Sequence, residues 1–230
     1  MRERPYTLLS CAISLDGYLD RASGPRLMLS NDADFDRVDA LRARCDAILV
    51  GARTIRRDNP RLLVRAPERI AQRSAQGMSP SPVKVTVSEH ARLDPCAAFF
   101  ATGDAEKLVF CPTGATARAR ARLGDVATVV DGGRQVDMGG LSEELHDRGV
   151  RRLMVEGGSS VHTQFLTAGL ADELHLVIAP FFVGDSRARH FVGDGQFPWS
   201  PDRRARLVET RQIDDVVLLR YALSDRFTDL

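Results

Sequence analysis

Short apolar runs alternate with segments of helical spacing along most of the chain, and this alternation restricts the fold more than any other feature. The runs are Thr7–Ile13, Ala47–Val50, Val83–Val87, Leu108–Phe110, Ala127–Val130, Leu153–Val155, Leu174–Ile178 and Val216–Tyr221. Their length and β-branched content predict strands, and several end in glycine or proline. Helical spacing falls between several of them. Asp34–Arg44 places Phe35, Val38 and Leu41 three residues apart, and Ser159–Ala168 puts Val161, Phe165 and Leu166 on one side. Thr116–Leu123 and the short, polar Ser142–Arg148 complete the set. Strand and helix in alternation imply right-handed βαβ units and a mainly parallel sheet. The tail departs from this pattern: Leu174–Ile178, Ala205–Arg211 and Val216–Leu223 have no helix between them. They are expected to form an antiparallel edge, with Ile213-Asp214-Asp215 as the last hairpin turn. Arg65–Pro82 carries the breaker run Met78-Ser79-Pro80-Ser81-Pro82 and reads as a surface loop. Strand patterns resume on both sides of it, so one domain over residues 1–230 is expected.

The composition, 43% hydrophobic and 27% charged over 230 residues, is that of a globular chain with a full core. A formal charge of +1 provides no global field for nucleic acid. The four cysteines, Cys11, Cys45, Cys96 and Cys111, have neither zinc spacing nor a disulfide framework. Cys11 and Cys45 sit in apolar contexts and read as buried thiols. Met1-Arg2-Glu3-Arg4-Pro5 has no signal-peptide core, and no apolar run reaches membrane-spanning length. A reducing cytoplasm fits, with no membrane, metal or nucleic-acid partner.

Three clusters can carry chemistry. In Leu153-Met154-Val155-Glu156-Gly157-Gly158-Ser159-Ser160, an apolar strand ends in a carboxylate, then two glycines, then hydroxyl residues that open a helix. Glycines let a ligand approach the backbone, and a helix N-terminus offers free N–H groups to a phosphate. A plain strand-to-helix turn would look the same, and the G-x-G-x-x-G spacing is absent. In the second cluster, Ala47–Val50 meets Gly51, followed by Arg53, Thr54, Arg57, Asp58, Asn59, Pro60 and Arg65. Thr54 can bond an amide, Asp58 can accept from a hydroxyl or ring N–H, and Arg65 can clamp an anion. A helix start stopped by Asn59-Pro60 is the alternative. The third, Ser14-Leu15-Asp16-Gly17-Tyr18, carries a strong turn signal. His162 and His175 have no ligand spacing and read as surface or satisfied core.

Taken in order, Ser14-Leu15-Asp16-Gly17, Leu41-Arg42-Ala43-Arg44-Cys45-Asp46-Ala47-Ile48-Leu49-Val50-Gly51, Thr54, Asp58-Asn59-Pro60-Arg61-Leu62 and Arg65 form a pattern. It continues through Val155-Glu156-Gly157-Gly158, Gly169-Leu170-Ala171-Asp172-Glu173-Leu174 and Ala179-Pro180-Phe181-Phe182-Val183-Gly184. Over nearly its whole length the chain resembles the C-terminal reductase domain of the riboflavin deaminase–reductases, without their deaminase domain. The resemblance implies a dihydrofolate-reductase-like α/β fold: a mixed, mostly parallel sheet flanked by helices, with antiparallel C-terminal strands. It implies a homodimer. It also implies an NADPH-dependent oxidoreductase that delivers hydride to the ribosyl C1′ of 5-amino-6-(5-phosphoribosylamino)uracil, without metal or flavin. By motif position the cofactor touches Ala12, Thr54 and Asp58. It then lies along Gly157, Gly158, Ser159, Ser160, Val161, His162, Thr163 and Gln164. The substrate touches Arg42, Leu62, Arg65 and Glu156, and the two arginines suit its phosphate. Asp58 and Glu156 are the candidate proton donors.

The chain departs from the commoner family pattern where ligands are expected. Ser10 stands where many members carry lysine, Arg26 and Met28 where serine and tryptophan are common, and Asn59 where aspartate is frequent. Glu89 falls near the expected adenosine 2′-phosphate, which it would repel. These departures keep two alternatives open: a same-fold reductase of a dihydropterin, a dihydrofolate or another imine, and a non-catalytic nucleotide-binding protein.

Overall fold

The computed structural model describes residues 3–228. In chain order its elements are β1 (Tyr6–Ser14), α1 (Asp32–Ala43), β2 (Ala47–Gly51), α2 (Ala52–Asp58), α3 (Pro67–Ala75), β3 (Val83–Val87), α4 (Ala98–Ala101) and β4 (Lys107–Cys111). They continue as α5 (Thr113–Leu123), β5 (Thr128–Asp131), α6 (Met138–Asp147), β6 (Arg152–Gly157), α7 (Ser159–Thr167), β7 (Glu173–Ala179), β8 (Arg206–Ile213) and β9 (Val216–Ala222). The chain divides into two compact units. The first holds Val38–Met154 with the N-terminal segment ending at Pro5; the second holds Tyr6–Arg37 and the chain from Val155 onward.

In the first unit the strands run in the order β5-β4-β3-β2. These neighbours pair in parallel, with Ala47 opposite Val83, Val85 opposite Leu108 and Leu108 opposite Thr128. All of β2 is buried, which explains its unbroken apolar run rather than an alternating one. α6 begins four residues before the expected Ser142, because the Asp137 carboxylate caps it by accepting from Gly140 N at 2.8 Å. α3 is a correction, since Arg65–Pro82 reads as loop from its sequence. Pro67 opens the helix at its first turn. Arg73 is buried and donates to the carbonyls of Ser79 at 2.8 Å, Ala43 at 2.9 Å and Cys45 at 2.8 Å.

In the second unit the order is β6-β1-β7-β9-β8. β1 and β7 are parallel, from Leu8 opposite Glu173 to Ser14 opposite Ala179. β9 then pairs antiparallel with both β7 and β8, so the last strand is inside this edge and β8 is outermost. The expected hairpin turn is present: Ile213 faces Val216, and Asp214 takes the left-handed φ of 51°. The first unit is thus a parallel layer and the second a mixed one, so the strands taken together are mixed and mostly parallel and are accompanied by helices, as expected. Cys45 is buried as read, but Cys11 is only partly so; Cys111 is buried and Cys96 exposed, and all four thiols are free. Among the described residues, no helix is long and apolar enough to cross a membrane. No group of three or more histidine, cysteine or acidic side chains among them could hold a metal ion.

Candidate active site

The first unit assembles the candidates that follow β2. The buried strand delivers Gly51 to the N-terminus of α2, on which the half-buried Thr54 and Asp58 stand one turn apart. Asn59 ends the helix at φ 44°, its N–H returning to Ile55 O, while its side-chain oxygen accepts from Ala98 N at 2.7 Å. The stop expected at Asn59-Pro60 is therefore real. Leu62 is buried at φ 50°. Beyond it, α1 grips the chain with two side chains. Arg42 Nη1 donates to Leu63 O at 3.2 Å. Asp39 accepts from Arg65 N at 2.7 Å, Ala66 N at 3.2 Å and Arg69 Nη1 at 3.0 Å. Arg65 Nε lies 3.5 Å from the same carboxylate, and the Arg65 side chain is 60% exposed. Burial opposes the charge on Asp39, but Arg69 and the two backbone amides hold its carboxyl below the ordinary range. Arg42, Leu62 and Arg65 are thus gathered by one helix. Asp39 and Arg69 belong to the same arrangement and carry no motif signal.

Lys84, on β3, is fully buried and donates to Thr102 O at 2.6 Å and Phe99 O at 3.1 Å. Burial, with the charges of Lys107 and Arg42, lowers its pKa from 10.5 to about 8.

The second unit carries the glycine turn. Glu156 is half-buried at the end of β6. Gly157 has φ +105°, and a Cβ there would lie 2.7 Å from His162 Nε2. Gly158 is the N-cap of α7 with no side-chain cap; its carbonyl accepts from Val161 N and His162 N at 2.9 and 3.1 Å. Neither Ser159 nor Ser160 caps the helix. Their carbonyls accept from Thr163 Oγ1 at 2.8 Å and Gln164 Nε2 at 3.1 Å. Thr163 Oγ1 also accepts from Gly193 N at 2.8 Å, tying a later loop to α7. Val161 and His162 turn their side chains into the core. His162 is buried with neither ring nitrogen partnered, and burial lowers its pKa to about 3. It is core but not satisfied, which corrects part of the sequence reading. His175 is satisfied: Arg37 can only donate to its Nδ1, at 3.0 Å, so Nε2 carries the proton toward Glu173 at 2.7 Å.

Ala12, half-buried on β1, lies opposite Val177. The segment after β1 is the tight turn expected. Ser14 Oγ donates to Asp16 at 2.6 Å, and Asp16 accepts from Val183 N and Gly184 N at 3.1 and 2.8 Å. Burial works against the Asp16 charge, but these donors hold its pKa at about 2.

Residues 5–219 match the model of the RibD C-terminal domain family. The chain belongs to that family. It is 37% identical over 194 residues to the 2,5-diamino-6-ribosylamino-4(3H)-pyrimidinone 5′-phosphate reductase of Archaeoglobus fulgidus, covering 84% of this chain and 88% of that protein. The protein of the same name from Methanothermobacter thermautotrophicus is 36% identical, covering 96% and 99%. Among solved structures, a pyrimidine reductase-like protein of Corynebacterium diphtheriae superposes with a TM-score of 0.83 at 24% identity, over 95% of this chain and 91% of that one. It shares the fold. The chain is an oxidoreductase, one of the riboflavin-biosynthesis reductases.

Proposed function

We propose that this chain uses NADPH to reduce the ribosyl C1′ of 5-amino-6-(5-phosphoribosylamino)uracil, giving a ribityl chain. The observation that carries the substrate half is the grip of α1 on residues 63–66. It brings Arg42, on α1, to the segment that carries the exposed Arg65, an arrangement of two cations that suits a phosphate-bearing substrate. Leu62, which precedes this segment, is buried and offers the substrate no apolar surface of its own. The cofactor half fits the second unit's glycine turn. Position 157 has no room for a side chain, and α7 begins without a side-chain cap, so its first N–H groups suit a pyrophosphate. Residues 157–164, with Ala12, Thr54 and Asp58, are assigned to that cofactor.

The bound cofactor supplies the hydride. The protein's share is alignment and charge. Arg42 and Arg65 anchor the phosphate end, so that remote binding energy orients the reacting carbon. Glu156 and Asp58 are the groups proposed to hold ribose hydroxyls and to move the one proton that reduction of the open-chain imine consumes. We also propose a homodimer through the β8 edge, and a cytoplasmic location that keeps the four thiols reduced.

A second reading has a specific observation behind it. The A. fulgidus and M. thermautotrophicus relatives, matched over most of their lengths, carry the name of the 2,5-diaminopyrimidinone reductase. The substrate here is then the 2-amino ring rather than the uracil.

The test is NADPH oxidation by the purified protein with the uracil phosphate, the 2,5-diaminopyrimidinone phosphate and dihydrofolate in parallel. Turnover of a phosphoribosylaminopyrimidine is expected, and the preferred ring decides between the two readings. Turnover of dihydrofolate alone overturns both. Running NADH beside NADPH settles whether Glu89 weakens the 2′-phosphate preference. Arg65→Ala should raise KM for the phosphorylated substrate, the loss of a charge-assisted bond being worth about 1.5–3 kcal/mol. Arg65→Lys should recover part of it, because lysine keeps the charge but not the fork.

A further inference from the structure

Three arginines and one buried carboxylate meet where α1 holds the segment after α2. Asp39 and Arg42 are three residues apart on α1 and therefore share a face. Arg42 takes the Leu63 carbonyl, and Asp39 takes the Arg65 and Ala66 amides. The first turn of α3 then returns Arg69 to the same Asp39 carboxylate at 3.0 Å. The Asp39 side chain is 2% exposed and that of Arg69 18%, against 60% for Arg65. A carboxylate buried this far is tolerated only when donors surround it. Here the main chain of Arg65 donates to it and the Arg65 Nε lies in ion-pair range at 3.5 Å, so the carboxylate holds the base and the near side of an arm whose side chain reaches solvent.

We propose that Asp39 is a positioning residue for the substrate's phosphate, holding Arg65 in place and drawing Arg69 in as a third cation of the same subsite. The inference rests on the reading that Arg42 and Arg65 take that phosphate. A phosphomonoester carries close to two negative charges near neutral pH. Arg42 and Arg65 against Asp39 sum to one positive charge, and Arg69 raises the group to two. The positive field around Arg42 is also felt by Lys84, whose ammonium it helps to destabilise.

The alternative role for Asp39 is a clamp that merely closes the loop, or a rival that competes with phosphate for Arg65. Steady-state constants separate these. Wild type, Asp39→Asn and Arg69→Ala are compared on the phosphorylated substrate and its dephosphorylated analogue, with Tm measured alongside. Each variant should raise KM for the phosphorylated substrate about tenfold or more. The corresponding kcat should change little, and the preference for the phosphorylated form should shrink by the same factor. A lower KM for Asp39→Asn would make Asp39 a competitor and overturn the proposal. Equal losses on both substrates, or a lower Tm with the preference intact, would reduce it to a clamp. If Asp39→Asn does not fold, Arg69→Ala, which keeps the buried carboxylate and its two backbone donors, decides by the same ratio. A wild type indifferent to the phosphate would remove the underlying reading, an outcome distinct from a preference that these variants leave untouched.

Discussion

Gly158 is the residue at which cofactor binding and folding can be pulled apart. Its backbone is extended, φ −83° and ψ −158°, so a side chain there strains nothing in the main chain. Gly157 differs, since φ +105° and the nearby His162 ring both penalise a Cβ. Gly158→Val should therefore keep the fold while blocking backbone approach at the head of α7. Calorimetric titration should show weaker NADPH binding with Tm nearly unchanged; unaltered affinity would place the cofactor elsewhere. Lys84 gives a stability prediction with a defined sign. Its pKa is about 8 folded against 10.5 ordinarily, so between these values the unfolded chain binds the proton and the folded chain does not. Stability should therefore rise with pH across that window and be lowest, for this group, below it. Lys84→Met should lack that rise, as urea denaturation on either side of the window would measure. At this scale the glycine turn was legible because its constraint is the absence of a side chain. Asp39 was not, because its donors lie 26 to 30 residues away and an aspartate on α1 looks like any solvated helix residue.

The strands announced themselves where both faces are buried. Val83–Val87 has the bounds its apolar run predicts, and β2 differs only by Gly51. α3 was hidden for a chemical reason: a side chain that anchors it is Arg73, whose three carbonyl acceptors replace the apolar stripe that periodicity seeks. β8 offers the element-scale prediction. A two-residue turn makes Ile213 and Val216 a hydrogen-bonded pair, and bonded and non-bonded positions alternate along an antiparallel ladder. The amides of Gln212 and Thr210 then point away from β9, toward the open edge. A bulge between Leu207 and Glu209 shifts the register, and pairing resumes beyond it with Leu207 opposite Tyr221. Thr210→Pro removes one outward donor without costing a bond to β9. If the proposed dimer is built on this edge, light scattering should show wild-type dimer and mutant monomer, with circular dichroism unchanged. A mutant that remains dimeric would move the interface elsewhere.

For the whole molecule, the path of the chain decides how the two compact units should unfold. The chain crosses between them after Pro5, after Arg37 and after Met154. The second crossing lies inside α1 and the third inside β6, so neither unit can lose its structure without fraying an element that the other also uses. Cooperative loss of both is the expected consequence, and calorimetric and van't Hoff enthalpies should agree for the wild-type chain. Limited proteolysis supplies the independent measurement. The ordered α3, with Ser81 and Pro82 buried, confines the first exposed stretch of residues 65–82 to Gln76–Pro80. The connection between β7 and β8 is a second, with Gly193–Gln196 exposed. A nonspecific protease should nick at these two places, and the nicked fragments should stay together and melt in one transition. Isolated fragments that remain folded after separation, or two resolved heat-absorption peaks, would show that the units are independent domains.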